Sequence, residues 1–468
     1  MPQLYRILTY FMAFCIPPFL IASISAISTM NQIMMPHTPE PVEIQSEQGV
    51  SEFEKEKDSL DRLNAVILTS RAGTQVSEFL ISYSVLSESG LFNVHVVSDQ
   101  TDPIPLTGGL SVYPELGFDE VPKADLIVIP SLLDTQEAAL LNYLRTTIDV
   151  TPLIVTLGEG IQILGEMGFL TDFAVTSHPL SIDSFQSQFK QLKFQPGYLW
   201  LEDRNLISSS GVASSLPAQF AAIAHLFGWD QVNSIFKKQT SYLMNLKTPE
   251  PSPLIKSLDS FELTHLFLRA AFLWEKQAYG IYLYPGVSEI GLAALTDLLP
   301  RTLAHRTVHV AEQRQPVLTR HGLRLLPSIA VENSPTLDLM LVPHGPQKTK
   351  THAYYLPLQS SPKTTEFLNE TNTPVKSFQN QPETLAYEHS LDFIARTEGQ
   401  RVSQMISQLV IYPQWEGETQ ATPLRVSLFS LILRAIAIGL VGLLIAFTFE
   451  RRMRRRKAYD TVGQIGTT

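Results

Sequence analysis

The stretch Val150–His178, VTPLIVTLGEGIQILGEMGFLTDFAVTSH, decides how the rest of the chain is read. Leu153 to Leu157 is an apolar, β-branched run, the pattern of a strand buried on both faces. Gly158-Glu159-Gly160 breaks it with a tight turn, a short helix follows, and a second strand closes on Ser177-His178. Strand, glycine turn and helix in this order form the elbow of a doubly wound parallel sheet.

The pattern extends in both directions. Ala65–Thr69, Asn93–Ser98 and Ala124–Pro130 (ADLIVIP) read as strands, with helices over Gln75–Ser89 and Thr135–Thr147. Pro105–Pro114 (PLTGGLSVYP) reads as a hairpin-like excursion. After the elbow come a polar crossing segment, Pro179–Pro196, then YLWLED, LISSS and a helix over Leu216–Phe227. Alternation of this kind predicts an α/β fold with helices on both faces of a parallel sheet.

These blocks resemble the ThiJ/PfpI family, whose fold is flavodoxin-like and glutamine amidotransferase-like. They are most similar to the version used as the sensing half of AraC-type regulators. Met167-Gly168-Phe169-Leu170 stands on that version's "AGLL" and Ala174–His178 on its "ATTH". The resemblance covers residues 63–243 and places the family's nucleophilic cysteine at Gly158. It implies an elbow without its nucleophile. Glu78 falls where the family's assisting acid sits, His178 on the family's histidine, and Ser208-Ser209-Ser210-Gly211 on its "TSSG". The family's "PGG" is replaced by Pro130-Ser131-Leu132.

Each candidate also has a plainer reading. Glu78 reads as a ligand acceptor beside an empty elbow, or as a helix-face glutamate. Glu159 reads as a displaced nucleophile or polar contact, or as a carboxylate favoured at a helix N-terminus. His178 reads as a base, or as a structural hydrogen-bonding residue. Ser209 and Ser210 read as pocket lining or as backbone caps. The pocket set is therefore Glu78, Gly158, Glu159, His178, Ser209 and Ser210, with no catalytic residue assigned and neither metal nor cofactor expected.

Beyond a proline-rich joint (KTPEPSP, in a linker-and-helix region over 244–278) the pattern starts again. IYLYPGVSEIGLAALTDLL, Thr307–Ala311, HGLRLLP and LDLMLVPH repeat the family's opening, which predicts a degenerate second copy over 279–412. Gly345–Glu383 is polar, so this copy is expected to lack the middle strand and the elbow. It is expected to depend on packing against the first copy as an intrachain pseudo-dimer, with the helix around Leu258–Lys276 as the wedge.

The 468-residue chain carries a formal net charge of −10, which argues against a nucleic-acid partner. Its one cysteine, Cys15, lies in an N-terminal apolar run, so the remainder holds no disulfide, no zinc–thiolate site and no cysteine nucleophile. Ile7–Thr29 is uncharged and long enough to span a bilayer; it reads as an anchor within residues 1–30, or as a cleaved signal peptide. Residues 31–62 form an acidic tether, whose end, Ser51 to Leu63, is expected to be a short helix. Val426–Phe449 is a second apolar span broken only by Arg434, and five arginines and a lysine follow it in the tail 450–468. Positive charge at the end of a span marks the cytoplasmic side, which predicts a cell-membrane protein with two spans and an extracytoplasmic centre. The functional expectation is a catalytically inactive module that binds a small ligand or a membrane or envelope partner. The alternative is a hydrolase or amidotransferase-like enzyme using non-cysteine chemistry, with Glu78, Glu159 and His178 to test.

Overall fold

The computed structural model describes residues 2–34, 58–237, 258–346, 360–379, 381–412 and 428–465, and also 39, 42, 55, 357 and 358. The joint at Lys247–Pro253 and most of the tether, including the start of its expected helix, lie outside the described residues. The chain divides into two compact units, one helical and one α/β.

The helical unit holds α1 (Pro2–Met34), α8 (Ser260–Phe272) and α13 (Leu428–Ile465). Tyr5–Ser28 and Leu428–Arg452 are long and apolar enough to cross a membrane. The two long helices run antiparallel. Arg6 pairs with Glu450 at 2.9 Å at one end. Near the middle, Gly439 and Gly442 bring the backbones together: a Cβ on Gly439 would lie 2.7 Å from the Phe14 ring, and one on Gly442 would strike the Ala13 carbonyl. The helix around Leu258–Lys276 was expected as a wedge between the α/β copies. It belongs instead to the unit of the terminal helices.

The α/β unit opens with β1 (Leu63–Leu68), α2 (Val76–Ser89), β2 (Phe92–Ser98), β3 (Ile104–Pro105), β4 (Ser111–Val112), β5 (Leu116–Gly117) and β6 (Leu126–Ile129). It continues with α3 (Ala138–Thr147), β7 (Leu153–Thr156), α4 (Ile161–Glu166), β8 (Ala174–Val175), α5 (Pro179–Gln188) and β9 (Lys193–Phe194). The first copy ends with β10 (Trp200–Asp203), β11 (Leu206–Ser209), α6 (Ser215–Phe227) and α7 (Trp229–Ile235). Its seven-stranded sheet has the order β10-β11-β7-β6-β1-β2-β5, parallel except where β10 meets β11. β6 and β7 are wholly buried at its middle, as their unbroken Leu/Ile/Val runs require. The stretch Pro179–Pro196, expected as a polar crossing, begins with helix α5. Pro179 stands in its first turn, and Ile182 and Phe185 are buried among its polar neighbours.

The second copy comprises β12 (Gln277–Tyr282), α9 (Glu289–Arg301), β13 (His305–Ala311), β14 (Val317–Leu318), β15 (Arg324–Leu326), β16 (Ile329–Ala330) and β17 (Leu339–Val342). Then come α10 (Pro362–Thr371), β18 (Val375–Ser377), α11 (Ala386–Glu398) and α12 (Gln400–Leu409). Its sheet order β16-β13-β12-β17-β18 reproduces β5-β2-β1-β6-β7 of the first. The last two helices are joined through Gly399 (φ 96°, ψ 151°) as α6 and α7 are through Gly228 (φ 85°, ψ 153°).

The expectation of a missing middle strand is corrected by β18. It pairs in parallel with β17 over Met340↔Val375 to Val342↔Ser377, the place β7 holds in the first copy. It is three residues long, with Val375 and Ser377 exposed, so its sequence carries no apolar run. Among the described residues no second-copy strand follows it, and β18 is an edge.

The copies pack along α2 and α9, and their hairpins share a four-stranded antiparallel sheet, β14-β15-β4-β3. Leu325 pairs with Val112 and Leu326 with Ser111. Two of the serines of α2, Ser77 and Ser84, unusual in a helix buried over most of its length, find partners on α9. Ser77 donates to Asp297 at 3.0 Å, and Gln75 Nε2 donates to the same carboxylate at 3.0 Å. Each of these buried polar groups would be costly alone and is satisfied only because the two copies meet.

Candidate functional site: the elbow of the first copy

β7 delivers the chain to the elbow. Leu157 donates its N–H to Ile129 O at 3.0 Å, and Gly158 turns in the left-handed region at φ +53°. A residue with a Cβ would be strained there, and its Cβ would have nowhere to go. It would overlap the Glu78 carboxylate and lie 2.7 Å from Ser131 Oγ. Gly160 is closed as well, by the carbonyls of Ile129 and Pro130.

A hydrogen-bond chain holds these occupants. Gln75 caps α2 by accepting from Glu78 N–H at 2.7 Å. The Glu78 carboxylate accepts from Ser131 N–H at 2.7 Å. Ser131 Oγ accepts from Glu159 N–H at 2.8 Å, and Ser177 Oγ donates to Gly158 O at 2.8 Å. The N–H groups of Ser131 and Glu159 are thus both engaged within the protein. Burial pushes the Glu78 carboxyl up to about 7, against the opposing hydrogen bonds from Ser131.

The other candidates are drawn into different work. Glu159 accepts from the Ser181 hydroxyl on α5. His178 is the N-cap of α5: its Nδ1 accepts from Leu180 N–H at 3.3 Å, and Nε2 faces Leu409 O of the second copy at 3.0 Å. This pairing requires the tautomer with hydrogen on Nε2. Burial lowers the His178 pKa, partly offset by the Leu409 carbonyl. Ser210 Oγ donates to Leu199 O at 3.1 Å and closes the strand end. Ser209 Oγ is buried and without a partner among the described residues. Glu78, Glu159 and Gly158 come together, and His178 stands near them. No hydrogen bond links Glu78, Glu159 and His178 to one another among the described residues.

Sequence reading missed Ser131 as an occupant of the elbow, although the altered loop that carries it was visible. It also missed the second copy's counterpart of Glu78. The repeated Val-Ser-Glu of 76–78 and 287–289 points to Glu289. Glu289 accepts from His321 through its backbone N–H and its Nδ1, both at 3.0 Å, and His321 Nε2 lies 2.9 Å from Glu88 on α2 of the first copy. Burial opposes charge on the His321 ring, but Glu289 and Glu88 outweigh it and push His321 up to about 10. Burial likewise raises Glu289, and His321 more than cancels that, leaving it below the ordinary carboxylate range.

Residues 64–224 match the model of the DJ-1/PfpI family. This segment is a DJ-1/PfpI domain. Over 142 residues the chain is 30% identical to the HTH-type transcriptional regulator CdhR of Pseudomonas aeruginosa, across 29% of this chain and 41% of the regulator. The match therefore spans about two-fifths of that relative. Among solved structures the chain is similar to DJ-1beta of Drosophila melanogaster (20% identity, TM-score 0.35, 39% of this chain and 98% of that one). It is similar also to a THiJ/PfpI family protein from Pseudomonas syringae (19%, 0.35, 47% and 87%) and to an AraC family transcriptional regulator from Pseudomonas putida (19%, 0.34, 38% and 98%).

Proposed function

We propose that this chain is a membrane-anchored, catalytically silent DJ-1/PfpI module that works by binding a small ligand or an envelope partner on the outer side of the cytoplasmic membrane. The observation that carries the reading is the filled elbow. Glu78 and Ser131 occupy the space a side chain at Gly158 would need, and the neighbouring N–H groups already have acceptors. Without a thiolate there is no covalent route of the cysteine-dependent kind. The antiparallel pairing of α1 with α13 and the basic run after Phe449 support two spans with both ends inside. The shared hairpin sheet supports the two copies acting as one intrachain pseudo-dimer.

A single observation favours the second reading, a hydrolase of non-cysteine chemistry: a Glu78 carboxyl titrating near neutrality is suited to proton transfer. The experiment is a screen of the detergent-solubilised full chain against amidase, peptidase and glyoxalase substrates. The silent module predicts no turnover above that of Glu78→Gln. Turnover lost on Glu159→Gln or His178→Ala would reverse the assignment.

A further inference from the structure

Helix α8 is built inside out for a helix in water. Its Arg269 and His265, one turn apart, are fully buried, whereas Phe261, Leu263 and Phe267 are 44 to 47% exposed. At 100° per residue, Leu263, Phe267 and Thr264 share one side, His265 and Arg269 share the other, and Phe261 lies at the border beside His265. Soluble proteins bury the apolar side and solvate the charged one. A helix bordered by lipid does the reverse.

The end of the helix carries the same signature. The last four carbonyls of a helix have no partner within it and normally turn to water. Here every one meets a protein donor. Arg269 O accepts from Leu273 N–H at 3.0 Å, and Ala270 O from Ser25 Oγ of α1 at 3.2 Å. Ala271 O accepts from Trp274 Nε1 at 2.8 Å, and Phe272 O from Arg434 Nη1 of α13 at 2.7 Å. At the other end Asp259 and Glu262 form a reciprocal capping box. Satisfaction of the C-terminal carbonyls by protein donors is what a bilayer demands and water does not.

We infer that α8 is a third membrane element. It lies in the outer interface of the bilayer that α1 and α13 cross, with its Leu263 and Phe267 side in lipid and Phe261 at the edge of that side. Ile432, Leu433 and Ile436 of α13, on either side of Arg434, are likewise exposed. Arg434, the single charge between Leu428 and Phe449, sits about 9 Å along the helix from Leu428 and caps α8. Trp274 is half exposed at the same end, at the depth where tryptophan anchors an interface.

This inference rests on the two-span reading, and one experiment separates the two. In a Cys15→Ser chain reconstituted into liposomes, an environment-sensitive fluorophore is attached at Leu263→Cys, Phe267→Cys, Leu440→Cys or Glu120→Cys. Quenching is compared for phospholipids carrying a nitroxide near the headgroup or at the acyl midpoint, and for aqueous iodide. The expected result is blue-shifted emission at 263 and 267 with stronger quenching from the headgroup nitroxide, midpoint quenching at 440, and iodide quenching at 120. Labels at 263 and 267 that respond to iodide as 120 does, with 440 still quenched by lipid, would overturn the inference alone. Loss of lipid quenching at 440 too would overturn the two-span reading with it.

Discussion

The Glu78 carboxylate stands where a side chain at Gly158 would have to go. Glycine is therefore required at the elbow twice over, by the left-handed backbone and by the carboxylate and Ser131 hydroxyl packed against its α-carbon. The acid that the family resemblance places beside a thiol remains, and here it fills the thiol's space.

A first consequence is thermodynamic. Gly158→Ala is expected to destabilise the solubilised chain by about 2–4 kcal/mol in urea titration, combining left-handed strain with overpacking. Combining it with Glu78→Ala should cost less than the sum of the two, because the second change frees the space the first needs. Strict additivity would show that the two positions do not compete.

A second consequence concerns pH. The folded Glu78 carboxyl titrates at about 7, above its ordinary 4.5, so between those values the native chain holds a proton that the unfolded chain has released. Its contribution is fully present below the lower value and is lost as pH rises through the window, amounting to about 2–4 kcal/mol. Glu78→Gln, whose amide oxygen can still accept from Ser131, should flatten the decline between pH 5 and pH 8. An unchanged decline in the variant would contradict the protonated, buried carboxyl.

The bridge between the copies responds in the alkaline range. His321 is raised from 6.5 to about 10, so its stabilising charge is complete below the unfolded value and fades as pH climbs towards the folded one. Thermal melts from pH 7 to pH 10 should fall more steeply for the natural chain than for His321→Gln. Equal slopes would show that the Glu289–His321–Glu88 contact does not hold the copies together.

Much of this was legible in the chain. β6 and β7 are unbroken apolar runs, the elbow is marked by its glycines, and the doubled pattern is audible in Val-Ser-Glu at 76 and 287. What was not legible depends on distant partners. β18 has only Val375 to announce it, because an edge strand needs one neighbour, β17, and little apolar surface. Ser77 and Ser84 of α2 look solvent-facing until α9 is laid against them. α8 reads as an ordinary amphipathic helix, since periodicity separates its faces without revealing which one is buried. Ser131 lies far in sequence from the glycine it helps to close, and only the fold joins them.

The closed elbow is tested most directly by putting a thiol into it. In a Cys15→Ser chain carrying Gly158→Cys, the pH dependence of alkylation by iodoacetamide would be followed beside a thermal melt of the same sample. The closed elbow predicts a lowered melting temperature and a thiol that reacts only as the chain unfolds. A variant that melts like the parent and is alkylated rapidly in the folded state, with a thiol pKa well below the usual 8.5 or so, would contradict it.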